Sequence, residues 1–261
     1  PKFDKSYGIM IAGIGGTGVV TIGAILGTAA EIDGMGSGVL DMTGLAQKGG
    51  SVKSFLRIFN NPKEVSTIRL SYNDTNLLLG CDLLVSNDDD VLLTLNESNT
   101  KAIINSDEVM TGEFTRNINF SLPTNQLKDN LKNLIGKENT FFVPANQIAR
   151  KILSDTIASN IFMVGYSYQL GLLPISSTSI IKAIKLNGVS VNLNLQAFNL
   201  GRLYLNKKRE IINKVNISEN KINKSDKIND FYDFLIKYQN KKYANKFLFL
   251  INHVKNCLTK L

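Results

Sequence analysis

Residues 7–32 read YGIMIAGIGGTGVVTIGAILGTAAEI, and the order of residue types in this stretch decides the fold class. Tyr7 to Ala12 is an unbroken apolar run, the pattern of a strand buried on both faces of a parallel sheet. Glycines follow at 13, 15, 16 and 18. Val19, Val20, Ile22, Ile25, Leu26 and Ala29 then recur at helical spacing, which predicts a helix over 16–32. Gly13-Ile14-Gly15-Gly16-Thr17-Gly18 matches G-x-G-x-x-G. In that pattern the first glycine allows a tight turn, the second lets a pyrophosphate reach the backbone, and the third lets helix and strand pack closely. A helix N-terminus adds unpaired N–H groups and a partial positive charge for an anion. The alternative is a glycine turn that serves packing alone.

Outward from this unit, Gly38 to Met42 reads as a second strand, with Asp41 where a ribose-binding carboxylate would sit. The loop 43–50 (TGLAQKGG) places Gln47, Lys48, Gly49 and Gly50 directly after it. Paired glycines permit close backbone approach, and Lys48 brings a mobile cation, so the loop suits a phosphate-bearing ligand or an adjoining domain. The bland alternatives are a β-turn with an incidental lysine, and an ion pair between Lys48 and Asp41. Ser51 to Phe59 alternates as a strand with one exposed face carrying Lys53 and Arg57. Cys81 to Ser86 reads as the next buried strand, with Asp88 to Asp90 capping a short helix. Lys101–Asn105 and Thr140–Val143 are further strands, separated by an amphipathic helix over Thr124–Ile135. Helices are expected at 145–153, 156–170, 176–186 and 193–205, a linker or poorly packed helix at 206–228, and a helical hairpin at 229–257. The fold class is α/β: a Rossmann-like, mostly parallel sheet with flanking helices, then a helical C-terminal segment. The expected domains are 1–206 and 207–261.

Composition closes several routes. Two cysteines, Cys81 and Cys257, are too few for a disulfide framework or a cluster of four thiolates. A single histidine, His253, excludes in practice a Cys/His zinc site and leaves a Ser-His-Asp arrangement or a dehydrogenase without its usual proton carrier. No metal ligands and no catalytic residue are therefore assigned. The longest apolar runs fall far short of the roughly 20 residues of a membrane span, and Lys2, Asp4 and Lys5 do not open a leader peptide. A cytoplasmic protein without a membrane partner is expected. The net charge of +8 sits in the tail: residues 207–261 carry 13 basic and 5 acidic side chains, and the rest are balanced. Aromatic interleaving there is weak, so a solvated face or an acidic neighbouring domain fits better than nucleic acid. Two competing classes stay open: an NAD-dependent dehydrogenase, and an interaction module that uses the basic tail.

The run GIGGTGVVTIGAILGTAAEIDGMGSGVLDMTGLAQKGGSVKSFLRI, from Gly13 to Ile58, resembles the γ subunit or γ domain of the 2-oxoacid:ferredoxin oxidoreductases. The Asp41–Gly50 version is similar to the indolepyruvate branch, especially its long single-chain form. Leu79-Gly80-Cys81-Asp82-Leu83, Asp155 to Asn160, Ile184 to Val189 and the Tyr238–Ala244 region extend the resemblance over roughly residues 7–255. Pro1 in place of methionine fits either a processed N-terminus or a fragment, and the resemblance to the single-chain form implies a piece of a longer polypeptide. The resemblance implies oxidative decarboxylation of an aryl pyruvate to its acyl-coenzyme A, with ferredoxin as electron acceptor. It implies thiamine diphosphate and [4Fe–4S] clusters on other domains, which are then partners of this one, and a homodimer in the full enzyme. Coenzyme A is the ligand it implies here, with Gly13, Gly15, Gly16, Thr17 and Gly18 facing its phosphates and Gln47, Lys48, Gly49 and Gly50 alongside. Another 2-oxoacid, such as pyruvate or ketoisovalerate, is the alternative substrate.

Overall fold

A computed structural model of the protein describes residues 1–44, 50–107, 123–217 and 224–258, with side chains except at 216–217, 224–230 and 254–258. The described chain forms two compact units, Pro1–Ile211 and Ile212–Leu261.

In the first unit, six strands form one sheet in the order β2-β3-β1-β4-β5-β6. They are β1 (Ser6–Ile14), β2 (Gly36–Thr43), β3 (Ser51–Phe59), β4 (Leu77–Gly80), β5 (Lys101–Asn105) and β6 (Thr140–Val143). β1, β4, β5 and β6 pair in parallel, while β3 runs antiparallel to both β1 and β2. The expected α/β class is thus borne out, with one reversed strand inside the sheet. Helix α1 (Val19–Ile32) crosses back over β1, β2 and β3, burying Ile22, Ile25 and Leu26. Each of those side chains is worth about 1.5–3 kcal/mol on burial. Met10, Ala12, Leu78, Ala102 and Ile104 face the other way. Their core includes Leu83, Val85 and Val91, together with Leu131 and Ile135 of an amphipathic helix, α3 (Thr124–Ile135), which follows the short α2 (Asp89–Leu92). Helices α4 (Ala145–Ile148), α5 (Ser159–Gln169) and α6 (Ser177–Asn187) complete the layers, and α7 (Val191–Ile217) follows with a non-helical Lys207. Asp33 at the end of α1 accepts hydrogen bonds from Ser176 N (2.6 Å), Ser176 Oγ (2.8 Å) and Ser179 Oγ (2.6 Å), which fixes the start of α6 against it.

Several expectations are corrected. The fourth strand is Leu77–Gly80, not Cys81–Ser86. Past Gly80 the chain turns: Cys81 N–H donates to Ala12 O (2.8 Å), and the Asp82 carboxylate accepts Val85 N–H (2.9 Å) at the head of a 3₁₀ turn, Val85–Asn87. The apolar run was right, but its polar caps bend it out of the sheet. The Lys53 and Arg57 face of β3 is covered. Both side chains are only about one-eighth exposed, Lys53 paired with Asp88 (3.1 Å) and Asp90 (2.9 Å), Arg57 with Asp74. Asp88 sits at the N-cap of α2 without a side-chain capping bond, because its carboxylate is turned to Lys53. Helix α1 starts at Val19 rather than Gly16, and α5 at Ser159 rather than Thr156, where an Asp155 turn (Ile157 N to Asp155 Oδ1, 2.9 Å) precedes it. Of the stretch 206–228, expected as a linker or a poorly packed helix, the part up to Ile217 is helical and belongs to α7.

The second unit contains a helical hairpin, α8 (Lys224–Tyr238) and α9 (Lys241–Leu258). Phe231 meets Phe247 with ring centroids 6.3 Å apart, and Tyr232 Oη donates to Asn245 Oδ1 (2.8 Å).

Candidate functional site

The carboxyl ends of β1, β2, β4, β5 and β6 lie on one edge of the sheet. From β1 the chain leaves through α1 toward β2 on one side, whereas from β4 it leaves toward β5 on the other. Between β1 and β4 the connections therefore diverge, and such a switch point leaves a crevice at the carboxyl edge. A cleft of about 570 Å³ lies there, lined by Gly16 and Thr17 of the glycine turn, Cys81 and Asp82 after β4, and Arg150 and Asn160 from the helices.

The glycine turn is shaped differently from the sequence pattern. Gly13 is still in β1, and a Cβ there would stand 2.7 Å from Val19 Cγ2 and 2.9 Å from Cys81 Cβ. The first glycine thus serves the close packing expected of the third. Gly15 donates its N–H to Gly50 O (2.8 Å), so this amide is not offered to a ligand. Gly16 and Gly18 have φ of +83° and +90°, the left-handed region that L side chains avoid. Gly18 caps α1, and the first amide of the helix with a backbone acceptor is Ile22 N–H, bonded to Gly18 O (3.3 Å). The N–H groups of Gly16, Gly18, Val19 and Val20 make no hydrogen bond among the described residues. Thr17 is held twice: its N–H and its Oγ1 both reach Ile14 O, at 3.3 and 2.7 Å. From α5, Asn160 Nδ2 donates to Thr17 O at 2.7 Å.

The second wall comes from β5 and the helix after β6. Asn105, 1% exposed at the end of β5, donates to Cys81 O (3.3 Å) and accepts Ala145 N–H (3.1 Å). Asp107 Oδ2 accepts Gln147 N–H (2.8 Å). Helix α4 then widens into a π-helical turn, Ala149–Leu153, that carries the exposed Arg150. Arg150 makes no ion pair or hydrogen bond among the described residues, although its charge acts on Asp107.

Titration at the site follows from burial. Desolvation, helped by the neighbouring Asp82 charge, pushes the Cys81 thiol up to about 12. Burial also raises Asp82 and Asp107, against the lowering effect of the backbone N–H groups bonded to each. A thiol held protonated and carboxylates already engaged by amides make no nucleophile–base pair. Among the described residues no group of three or more His, Cys, Asp or Glu is placed to hold a metal ion. The arrangement offers main-chain amides and a guanidinium to an anion.

The structure brings Gly16, Thr17 and Gly18 into or beside the cleft, and Gly50 against Gly15. Gln47, Lys48 and Gly49 lie outside the described residues. Asp41 is not the ribose carboxylate of a dinucleotide site: it pairs with Ser54, which pairs with Ile11. With β3 interposed, Asp41 is two strand spacings, about 10 Å, to the side of β1. Cys81, Asp82, Asn146, Arg150 and Ser159 join the cleft without having been assigned to a site from sequence. Two of the stretches that carried the family resemblance, 79–83 and 155–160, did hold the signal.

The model of the pyruvate ferredoxin/flavodoxin oxidoreductase family matches residues 8–204. The indolepyruvate oxidoreductase subunit IorB of Methanothermobacter thermautotrophicus is 26% identical over 198 residues, covering 75% of this chain and 96% of that one. The pyruvate oxidoreductase subunit PORC of Thermotoga maritima shares the fold with a TM-score of 0.54 at 19% identity, over 76% of this chain and 96% of its own. The 2-oxoglutarate:ferredoxin oxidoreductase of Magnetococcus marinus, solved with 2-oxoglutarate, coenzyme A and succinyl-coenzyme A bound, aligns with a TM-score of 0.53 at 16% identity, over 77% of this chain and 31% of that one. Among the described residues no helix is long and apolar enough to cross a membrane.

Proposed function

Because this chain belongs to the pyruvate ferredoxin/flavodoxin oxidoreductase family, we propose that it is the γ-type subunit or domain of an indolepyruvate:ferredoxin oxidoreductase and the part that holds coenzyme A. The IorB relative supports the aryl pyruvate substrate by its name, and the coenzyme A bound in the Magnetococcus enzyme supports the ligand. In this reading, thiamine diphosphate and the iron–sulfur clusters belong to partner subunits, and ferredoxin takes the electrons. The overall change is 2-oxoacid anion plus coenzyme A thiol plus two one-electron equivalents of oxidised ferredoxin to acyl-coenzyme A, carbon dioxide, two equivalents of reduced ferredoxin and one proton. When bound, coenzyme A supplies the thiol that accepts the acyl group.

This chain's own residues then bind and orient. The amides of Gly16, Gly18, Val19 and Val20, at the positive end of α1, hold the pyrophosphate. Asn160 Nδ2 engages the Thr17 carbonyl at 2.7 Å and so helps to fix the shape of the turn. The single observation that carries this assignment is that four amides of the turn and first helical residues make no hydrogen bond among the described residues, beside a cleft lined by Gly16 and Thr17 whose volume suits a small-molecule ligand.

Titration calorimetry of coenzyme A against the chain tests it. Gly16 has nothing within 4 Å of where a Cβ would sit, so Gly16→Ala disturbs only the backbone conformation, by about 1–2 kcal/mol. The expected outcome is weaker coenzyme A binding by about tenfold at a temperature where the variant is still fully folded, with the melting temperature lowered by only about 2–8 °C. Assembled with thiamine- and cluster-bearing subunits, the chain should support ferredoxin reduction faster on indolepyruvate than on pyruvate. Coenzyme A that binds wild type and Gly16→Ala alike would remove the glycine turn from the site. A preference for pyruvate would give the chain to the pyruvate branch.

A further inference from the structure

We infer that Arg150 and Lys128 form a second phosphate subsite, which selects ligands carrying an extra phosphate on the adenosine ribose over those with a pyrophosphate alone. This rests on the coenzyme A reading above and deepens it. The switch-point cleft does not end at the helices. A second, polar cleft of about 430 Å³ shares Asn146 and Arg150 with it and is lined farther out by Lys128 and Asp107. Arg150 thus stands on the wall common to both. A ligand whose pyrophosphate lies on the glycine turn can extend past Arg150 into the second cleft.

The charges there favour an anion. Lys128 Nζ lies over the Phe142 ring, 5.7 Å from its centroid, and the ammonium has no carboxylate partner among the described residues. Arg150 is likewise without an ion pair among them. Among the described residues that line this cleft the one carboxylate is Asp107, whose Oδ2 already accepts Gln147 N–H (2.8 Å). A guanidinium meets a phosphate through two parallel N–H bonds, whereas an ammonium acts as a point charge. Arg150 is the directional partner and Lys128 the supporting one. The π-helical turn Ala149–Leu153 is a local distortion of a kind concentrated at functional positions, and it carries Arg150.

The test compares coenzyme A with 3′-dephospho-coenzyme A by titration calorimetry on the full chain. Wild type is expected to bind coenzyme A about tenfold or more tightly than the dephospho form, as suits a charge-assisted hydrogen bond. Arg150→Ala should abolish that difference by weakening coenzyme A alone, Arg150→Lys should keep part of it, and Lys128→Ala should reduce it. Equal binding of both ligands to wild type overturns the inference and leaves the coenzyme A reading standing. Parallel weakening of both ligands in Arg150→Ala also overturns it, since the guanidinium would then serve the pyrophosphate. Failure of both ligands to bind wild type sinks the coenzyme A reading and this inference with it.

Discussion

Asn160 Nδ2 donates to Thr17 O at 2.7 Å across 143 positions of sequence. This bond joins α5 to the glycine turn, and Asn160 is 4% exposed. The side chain that orients the turn therefore comes from the far half of the fold. Asn160→Ala leaves the Thr17 carbonyl without its side-chain donor in a partly buried place, at a cost of about 1–3 kcal/mol. Thermal unfolding should show a lower midpoint, and coenzyme A binding should weaken more than that stability loss explains in protein that is still fully folded. A variant with lower stability and unchanged binding would mean that the turn keeps its shape unaided.

The packing beneath the site rests on a close helix crossing. A Cβ on Gly165 of α5 would stand 2.1 Å from Phe198 O, and one on Gly201 of α7 would stand 2.0 Å from Phe162 O. Backbone approaches backbone, so no side-chain rotation relieves either clash. Gly201→Ala is expected to destabilise by about 3 kcal/mol or more, at or above the usual range for overpacking. Denaturant titration reads the result. A midpoint within error of wild type would show that α7 shifts at little cost.

Cys81 gives a pH signature. Burial favours its neutral thiol, so the folded pKa, about 12, lies above the unfolded value near 8.5. Between those values the folded chain binds more protons than the unfolded one, so stability falls as pH rises. The Cys81 contribution is complete below about pH 8.5 and is lost progressively above it. In a Cys257→Ser background, Cys81→Ala should flatten the alkaline limb of a stability–pH curve. In the same background, a thiol reagent at pH 8 should label Cys81 only as fast as the protein opens. Immediate labelling would place the thiol at the surface.

Much of the first unit was legible in the sequence because local rules govern it. The apolar run at 7–12 gave β1, the boundaries of β3, β5, β6 and α3 coincide with the expected ones, and Ser176 caps α6 as its type and position suggest. The misplacement of β4 has an equally local cause. Leu77–Gly80 and Leu83–Val85 are both apolar, and periodicity cannot tell a strand from the buried turn that follows it. Asp82, whose carboxylate accepts Val85 N–H, was the residue that marked the bend.

The site itself was half legible. Glycines at 13, 15, 16 and 18 announced a turn before a helix, but their roles depend on neighbours that spacing does not specify. Gly13 is held by Cys81 and Val19, and Gly15 by Gly50. Asp41 was misread because strand order is a property of the sheet. Inserting β3 between β1 and β2 moves that carboxylate sideways while leaving the local pattern untouched.

The sequence by itself determined which segments bury their apolar faces, where the chain turns, and which family it belongs to, because each is written in short runs of neighbouring residues. Only the tertiary structure decided that the second strand lies at the sheet edge, that Arg150 and Asn160 line one cleft with a turn more than 130 positions earlier, and that the Gly15 amide is taken by Gly50 while those of Gly16 and Gly18 have no partner among the described residues. Those facts arise from hydrogen bonds and packing between segments distant in the chain, and no periodicity encodes them.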